Sequence, residues 1–295
     1  MKKFFILAAA ALSFAACSNN ESDNQVQNPD NAIRLNASVG EITRAASDIY
    51  GAGTNFDAGT TVKVQVTDKA ESTPVTYEAI NYTVGASGAL TGASTQYYPA
   101  GGSNVDIYAY YPSDASTTFA VTANQSEADA YKASDLMYAS ITNINKNSDA
   151  AARTLTFNHK LSKITVVLAK GTGMTDEEMA RATVKLNGVI IKGNFTAATG
   201  EFAAAADEAA NKDNMTIGTG AGSHSAIVVP QSVAGKTLTV TIDNTDQTYT
   251  IPAGTSFAAA QNNTYTLTLS KTGIEVTYTI GNWGDGSTDS ETLTY

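Results

Sequence analysis

The side chains that most often carry catalytic or metal chemistry are scarce in this 295-residue chain, which has two histidines and one cysteine. His159 stands near the start of a strand-like segment, where a surface or edge position is expected, and His224 lies between Ser223 and Ser225. A Ser–His–Asp triad through His224 is compatible with this order, because triads are defined by geometry, but no nucleophile-elbow motif accompanies it. Two separated imidazoles and a single thiol disfavour a zinc site. The residues therefore predict a protein that is not an enzyme and that has no metal site and no cofactor.

The single cysteine, Cys17, stands where lipid modification would use it. Residues 1–17 begin with Lys2 and Lys3, continue with an apolar run too short to span a bilayer, and end with small residues before Cys17. This order resembles the lipobox of bacterial lipoproteins, which implies a signal peptide over 1–17 and diacylation of Cys17. Two acyl chains are enough for stable anchoring. The alternative is an ordinary signal peptide with an incidental cysteine.

Arg44 is the second residue whose position suggests chemistry, in this case cleavage of a peptide bond. Between Lys3 and Lys63 the chain has only two basic residues, Arg34 and Arg44. Arg34 falls inside a predicted strand, where pairing would hide its peptide bond. Arg44 is followed by small residues, and exposed loop-like segments of this kind are preferred sites of proteolysis. We predict cleavage between Arg44 and Ala45; the alternative is a solvated arginine in a linker.

A predicted strand stands just before that arginine. Ile33, Leu35, Ala37 and Val39 alternate with polar residues, which is the pattern of a half-buried strand. Residues 19–30 are polar and are expected to form a flexible tether. Residues 18–44 therefore combine a tether, a first strand and the predicted cleavage point.

The charge of the chain excludes some classes of partner. The formal net charge is −10, and loss of the first 16 residues leaves 16 basic against 28 acidic groups, or −12. A surface this acidic repels phosphate backbones, so nucleic-acid binding is not expected. It also disfavours docking on anionic lipid through basic residues.

Many short β-rich runs separated by turn signals predict an all-β fold of antiparallel sandwiches. A polar, small-residue stretch over 145–153 precedes a long apolar run, and we place a domain boundary near residue 158. The predicted domains are 45–158 and 159–295. Helical signals are few: TDEEMARA at 175–182 has a capping pattern, and 201–212 is interpreted as a loop with a helical turn.

Several segments, in their order and spacing, resemble the fimbrillins of Bacteroidales-type bacteria, which are subunits of surface pili. The resemblance covers essentially the whole precursor and rests on the lipobox ending at Cys17, Thr43-Arg44-Ala45, DIYAYYP (106–112), SDLMYA (134–139), LTFNHKLSKITVVL (155–168), AIVVPQSV (226–233), AGTSFAAAQNNTYTLTLSKTGIEV (253–276) and IGNWGDG (280–286).

This resemblance implies two tandem transthyretin-like β-sandwich domains, export as a lipoprotein and cleavage by an Arg-specific protease. Removal of the first strand would open a groove, and a strand of the next subunit would fill it, giving a head-to-tail polymer. The removable plug would then present Ile33, Leu35, Ala37 and Val39. The candidate donor strand presents Ile274, Val276, Tyr278 and Ile280, and a distal alternative presents Trp283, Leu293 and Tyr295.

The expected location is the outer membrane and cell surface, within a fimbrium, and the expected role is adhesion. Expected partners are other subunits, the protease, the outer membrane through the lipid on Cys17, and a host or bacterial receptor. The competing class is a non-polymerising surface lipoprotein that binds glycan or protein through exposed aromatic residues such as Tyr97, Tyr98 or Trp283. Such a protein would not need Arg44.

Overall fold

The computed structural model describes residues 31–40, 56–146 and 151–283, together with the backbone of 289–291. Strands dominate this part of the chain. In chain order they are β1 Leu35–Val39, β2 Thr61–Asp68, β3 Ile80–Val84, β4 Ala89–Gly92, β5 Val105–Tyr111, β6 Thr118–Ala120, β7 Met137–Ile144, β8 Arg153–His159, β9 Ser162–Lys170, β10 Thr183–Ile190, β11 Lys192–Thr196, β12 Glu201–Ala204, β13 Lys212–Thr219, β14 Gly222–Val228, β15 Gln231–Ser232, β16 Thr237–Ile242, β17 Thr245–Thr250, β18 Ser256–Phe257, β19 Gln261–Ser270, β20 Gly273–Asn282 and β21 Asp289–Glu291.

Seven strands of the N-terminal half close into a barrel in the order β1-β4-β3-β2-β5-β7-β8. Closure removes free sheet edges. The strands alternate buried and exposed residues; in β2, for example, Val62, Val64 and Val66 are buried while their neighbours face outward. The barrel therefore has an apolar interior, and β1 is one of its staves.

The C-terminal half contains a four-stranded sheet in the order β13-β10-β16-β17 and a five-stranded sheet in the order β14-β9-β19-β20-β21. A smaller sheet, β12-β11-β6, takes its third strand from the N-terminal half, and β15 pairs with β18. The prediction of an all-β, mostly antiparallel fold is confirmed.

The two halves repeat one arrangement that includes a parallel pair. In the barrel, β1 lies between β4, which is antiparallel to it, and β8, which is parallel. In the C-terminal half, β9 lies between antiparallel β14 and parallel β19. The first strand of each half is therefore held between two strands that follow it in the chain, one antiparallel and one parallel to it.

The apolar interior forms two clusters. The first lies in the barrel and includes Val64, Ile107 and Phe157, while the second lies between the sheets of the C-terminal half. Four residues of the N-terminal half join the second cluster, namely Phe119, Val121, Tyr131 and Leu136. Residues up to β8 thus pack mainly in the first cluster and residues from β9 onward in the second. The exception is the segment 119–136, which packs on the C-terminal half. The division at residue 158 stays a prediction.

Two short α-helices lie in the described residues, α1 Ala128–Ser134 and α2 Asp176–Met179. The second confirms the helical turn predicted at 175–182, and Thr175 with Glu178 forms its capping box. The prediction of a loop with a helical turn over 201–212 is confirmed in part. Ala209–Asn211 form a 3-10 helix, which is the predicted turn, but Glu201–Ala204 form β12, because they pair with β11.

Candidate functional site

The predicted first strand lies inside the barrel wall as β1. It pairs with β8 over five residues, from Leu35 opposite Arg153 to Val39 opposite Phe157. On its other edge it pairs with β4, at Leu35 opposite Leu90 and at Asn36 opposite Ala89. A strand that is paired on both edges is an internal strand of a sheet. β1 is therefore part of the barrel wall and is not a loose segment outside it.

The inward face of β1 contributes to the barrel core. Ile33, Leu35, Ala37 and Val39 are 5%, 2%, 2% and 3% exposed. Full burial of a Val, Leu or Ile side chain stabilises by about 1.5–3 kcal/mol, so the three large residues contribute about 5–9 kcal/mol as an upper bound. The segment is therefore held in the barrel by apolar burial as well as by its pairing with β4 and β8.

Backbone hydrogen bonds extend beyond the strand at both ends. Tyr98 N–H donates to the carbonyl of Asn31 at 2.8 Å, and Ile33 N–H donates to the carbonyl of Gln96 at 2.8 Å. At the other end Gly40 N–H donates to the carbonyl of Phe157 at 2.8 Å. The bonded segment therefore runs from residue 31 to residue 40 and ends four positions before Arg44.

The two edges of β1 are not equally bonded near its C-terminal end. Toward β4, the hydrogen bond from Ala37 N–H to the carbonyl of Gly88, 2.8 Å long, lies at the turn that precedes β4. Toward β8, pairing continues through Ser38 and Val39. The side-chain hydroxyls of Ser38 and Thr156 are also 3.3 Å apart on this side. The β8 edge therefore carries more of the attachment.

Gly40 approaches β8 closely. A Cβ atom built on Gly40 would collide with the side-chain amide oxygen of Asn158. Any larger residue here would displace Asn158 or lift the end of the strand. The segment thus leaves the barrel at a position where only glycine fits without adjustment.

A buried polar pair supports the other end of β1. The Tyr82 hydroxyl donates to Gln96 Oε1 at 3.2 Å, and Gln96 Nε2 donates to the carbonyl of Glu78 at 3.0 Å. Burial raises the pKa of Tyr82 to about 12, so its hydroxyl stays protonated and can donate at neutral pH. The carbonyl of Gln96 accepts the hydrogen bond from Ile33 N–H, just before β1. The Tyr82–Gln96 contact therefore holds Gln96 in the position where it accepts this bond.

Of the two nearby arginines, only one lies in the described part of the chain. Arg34 is exposed, and its carbonyl accepts from Arg153 N–H at 2.8 Å. The peptide unit after Arg34 is thus tied to β8, as predicted for a paired segment. Arg44 and Ala45, the predicted cleavage position, and Cys17, the predicted lipid site, lie outside the described residues.

The candidate donor residues lie in β20. This strand pairs antiparallel with β19 over ten residue pairs, from Gln261 opposite Asn282 to Ser270 opposite Gly273. Val276 is buried, Ile274 and Tyr278 are half-buried, and Ile280 is 37% exposed. The Tyr278 hydroxyl donates to Asn263 Oδ1 at 2.8 Å. In this structure β20 therefore belongs to the sheet of its own subunit, between β19 and β21, and Ile280 is the most exposed of the four candidate donor residues.

Of the distal residues proposed as an alternative donor, Trp283 lies in the described part and Leu293 and Tyr295 lie outside it. Trp283 is 9% exposed and its ring stacks on His159, with ring centroids 3.8 Å apart and planes 4° from parallel. His159 Nδ1 lies 2.9 Å from Asp135 Oδ1. The expectation that His159 is a surface residue is wrong, because it is only 6% exposed.

Sequence reasoning missed this cluster, although all three residues stand in the motifs SDLMYA, LTFNHKLSKITVVL and IGNWGDG. Asp135 and His159 are 24 positions apart and Trp283 lies far beyond them, so no local spacing reveals the contact. The available signal was the presence of one of the two histidines and the only tryptophan of the chain in these motifs.

The aromatic residues considered for ligand binding are not arranged as an open platform. Tyr98 is buried, Tyr97 is half-buried, and the carbonyl of Tyr97 accepts from the Tyr77 hydroxyl at 2.7 Å. An open cleft of about 310 Å³ beside them is lined mainly by small and polar residues, among them Asn31, Gly102, Ser103 and Lys146. This cleft borders the start of the plug segment.

His224 has a structural role in the described residues. Its Nε2 lies 3.0 Å from the carbonyl of Gly220, and its ring packs against Gly218. Within the ranges that the structure describes, no three His, Cys, Asp or Glu side chains gather in a way that could hold a metal ion. Across the same ranges, no helix is both long enough and apolar enough to cross a membrane.

Known proteins share this fold and sequence pattern. A family model described as fimbrillin-like matches residues 43–283. A proposed fimbrium subunit of Bacteroides uniformis, Fim1C, is 27% identical over 216 residues, which cover 70% of this chain and 71% of that protein.

Two crystal structures of proposed cell adhesion proteins resemble the fold. One, from Bacteroides uniformis, has a TM-score of 0.69 at 24% identity and covers 87% of this chain and 100% of its own. The other, from Bacteroides ovatus, has a TM-score of 0.69 at 19% identity and covers 87% of this chain and 99% of its own. Since the family model spans most of the sequence, the chain belongs to the fimbrillin-like family.

Proposed function

We propose that this chain is a structural subunit of a surface fimbria that polymerises by exchange of its first strand. In this scheme the precursor is exported as a lipoprotein and held at the outer membrane through Cys17. Cleavage after Arg44 separates the plug, residues 31–40, from the rest of the barrel. A strand of the next subunit then takes the place of β1, and the assembled fimbria supports adhesion.

The observation that carries this proposal is the position of β1. It is a complete stave of an otherwise continuous barrel, it is bonded on both edges, and it lies beside the chain terminus that the predicted cleavage would detach. After its removal the other strands stay joined in the order β4-β3-β2-β5-β7-β8. β1 is also the first strand of the barrel along the chain, so a single cut after it detaches it, whereas a strand in the middle of the chain would need two cuts.

Removal of β1 would create a binding site with defined chemistry. The edges of β4 and β8 would expose unpaired backbone groups, and the seats of Ile33, Leu35, Ala37 and Val39 would open onto the barrel core. An incoming strand gains backbone hydrogen bonds from the edges and specificity from the alternate seats. It must also run parallel to β8, since that is the direction β1 takes.

The plug competes with the incoming strand for the same seats. Its burial and bonding predict that it remains bound after the peptide bond at Arg44 is cut. Cleavage therefore allows the plug to leave the groove, and the donor strand then displaces it. The donor is proposed to come from the C-terminal segment, either β20 with Ile274, Val276, Tyr278 and Ile280, or the residues beyond Trp283. The contact is head-to-tail, so it propagates and does not close on itself.

Limited digestion of the 18–295 precursor with an Arg-specific protease tests this function. The expected result is a cut after Arg44 and a ladder of oligomers on native gels that appears only after the cut. The Arg44→Gln variant should remain whole at this position and monomeric. The Arg34→Gln variant is the matched control and should be cut and polymerise as the native chain does.

Other outcomes point to other functions. A clean cut without oligomers, also in the presence of other fimbrial subunits, would contradict polymerisation of this chain by strand exchange. Absence of a cut at Arg44 together with measurable glycan affinity of the monomer would overturn the proposal. It would support the alternative of a non-polymerising outer-membrane lipoprotein that binds glycan or protein.

A further inference from the structure

The cluster of Asp135, His159 and Trp283, which we term the clasp, joins three distant parts of the chain. Asp135 follows α1, His159 is the last residue of β8, and Trp283 directly follows β20. The side chains of Asp135 and His159 are 0% and 4% exposed. Burying the Asp–His pair under a tryptophan costs free energy, because the polar groups lose their contact with water. We therefore ask what the clasp does besides filling space in the core.

Trp283 lies at the end of β20 where separation of that strand would start. The β19–β20 hairpin is closed at Ser270 and Gly273, and its ladder ends at Gln261 opposite Asn282. Trp283 N–H adds one more bond, 2.8 Å long, to the carbonyl of Ala260. A hairpin frays from its open end, so the clasp secures the point at which β20 would begin to leave.

β8 links the clasp to the plug. It forms five ladder pairs with β1, at residues 153–157, but two with β7, at Asn158 and His159. The plug thus supplies most of the ladder pairing of β8. The two pairs that would remain are those next to the clasp. In addition, Gly40 of the plug segment lies against Asn158, which is adjacent to His159.

We propose that β8 couples loss of the plug to release of the C-terminal strand. With β1 in place, β8 is held firmly, His159 is positioned under Trp283, and β20 is retained. When β1 leaves, β8 loses most of its ladder, the stacking on Trp283 weakens, and β20 becomes free to separate from β19. This inference rests on the proposed donor-strand exchange and adds an order to it: a subunit that cannot yet accept a strand also does not donate one.

The coupling has a direct optical readout, because Trp283 is the only tryptophan in the chain. Quenching of its fluorescence by acrylamide would be measured on the uncut 18–295 protein in dilute solution. The double variant Leu35→Ser/Val39→Ser weakens the inward face of the plug, and Asn36→Ser changes an outward residue of the same strand. We expect the quenching constant to rise about twofold in the double variant and to stay unchanged in the control.

A second measurement avoids any variant that fails to fold. The native chain would be cut at Arg44, the detached fragment removed in mild denaturant, and the remaining chain returned to native buffer at a concentration too low for polymerisation. A peptide of residues 31–40 would then be added in excess. Quenching of Trp283 should increase after the plug is lost and return when the peptide refills the groove. Equal quenching in the plugged and unplugged states would overturn the coupling.

Coupling must also act in the reverse direction, since linkage between two sites is reciprocal. Trp283→Leu removes the stacked ring, whereas Trp283→Phe keeps an aromatic ring over His159. After cleavage, the N-terminal fragment should dissociate several-fold faster from the Leu variant than from the Phe variant. Identical rates would contradict the proposal. Failure of donor-strand exchange itself would appear separately, as cut native chains that do not polymerise.

Discussion

Ala37 is the smallest side chain on the inward face of β1, and it is 2% exposed between the larger Leu35 and Val39. Its seat is therefore narrow, which favours the register that β1 adopts. A shift of β1 by two residues would place Leu35 or Val39 there.

We predict that Ala37→Leu destabilises the uncut protein by about 1–3 kcal/mol, because added methylenes in a packed core force neighbouring groups to shift. The free energy of unfolding would be measured by urea denaturation. Asn36→Leu, on the half-buried outward side of the same strand, serves as the control and should cost less than Ala37→Leu. An equal loss in the two variants would mean that the seat of residue 37 is not narrow.

Tyr82 supplies a second prediction at the residue scale. Its folded pKa is about 12, raised by burial, against an ordinary value near 10. The neutral hydroxyl thus favours the folded state fully below pH 10, and this contribution is lost as the pH rises toward 12. Tyr82→Phe cannot ionise, so its free energy of unfolding should fall less steeply above pH 10, by up to about 1.4 kcal/mol per pH unit. Parallel pH curves for the two proteins would show that Tyr82 does not ionise on unfolding.

At the scale of elements, the turn between β11 and β12 fastens the C-terminal half to the barrel. The Tyr138 hydroxyl of β7 donates to the carbonyl of Ala198 at 3.2 Å. Gly200 has a φ of +69° and lies directly against the Tyr138 ring, so that a Cβ atom there would collide with the ring. Glycine is needed at this position for two separate reasons, backbone conformation and close approach.

A pair of glycine variants separates these reasons. Gly200→Ala should destabilise by more than Gly235→Ala, since Gly235 has a similar φ of +73° but open space where its Cβ would lie. The Gly235 variant measures the conformational cost, about 1 kcal/mol, and the excess in the Gly200 variant measures the collision with Tyr138. Thermal unfolding of both variants gives the comparison. Equal shifts in the melting temperature would mean that the Tyr138 contact yields at no cost.

The sequence predicted some elements well for physical reasons that lie within a few residues. β1 follows from strict alternation in 33–39, and α2 follows from the capping box of Thr175 and Glu178. β6 and α1 were not predicted, because a three-residue strand and a seven-residue helix carry little periodicity. They form because β6 pairs with β11 and Tyr131 enters the C-terminal core.

The candidate site shows the same limit. The inward residues of the plug could be read from the sequence because their pattern is local. The clasp could not, because Asp135, His159 and Trp283 meet only after both halves have folded. The pairing of β20 with β19 is also a tertiary contact that the sequence does not reveal. It is the reason that β20, proposed as a donor, is found as a strand of its own sheet.

At the scale of the whole molecule, the two halves are joined by shared structure and not by a simple linker. β6 pairs with β11 across the halves, and Phe119 and Leu136 lie in the C-terminal core. A load applied along a fimbria would therefore be carried through a sheet and a common core within each subunit. The exchanged strand would carry the load between subunits.

The net charge of the cut chain sets the last prediction. Residues 45–295 have 14 basic and 24 acidic groups, a formal charge of −10, so two subunits repel each other as they approach. The Debye length is about 30 Å at 0.01 M salt and about 8 Å at 0.15 M, so salt removes most of this long-range repulsion. The strand contact itself is mainly apolar and backbone-bonded, and salt has little effect on it.

Polymerisation of the cut chain should therefore speed up as salt is raised across this range, as followed by light scattering, while the uncut chain stays monomeric throughout. A rate that falls with salt would instead indicate attraction between oppositely charged patches on successive subunits, which would then guide the donor strand to the groove.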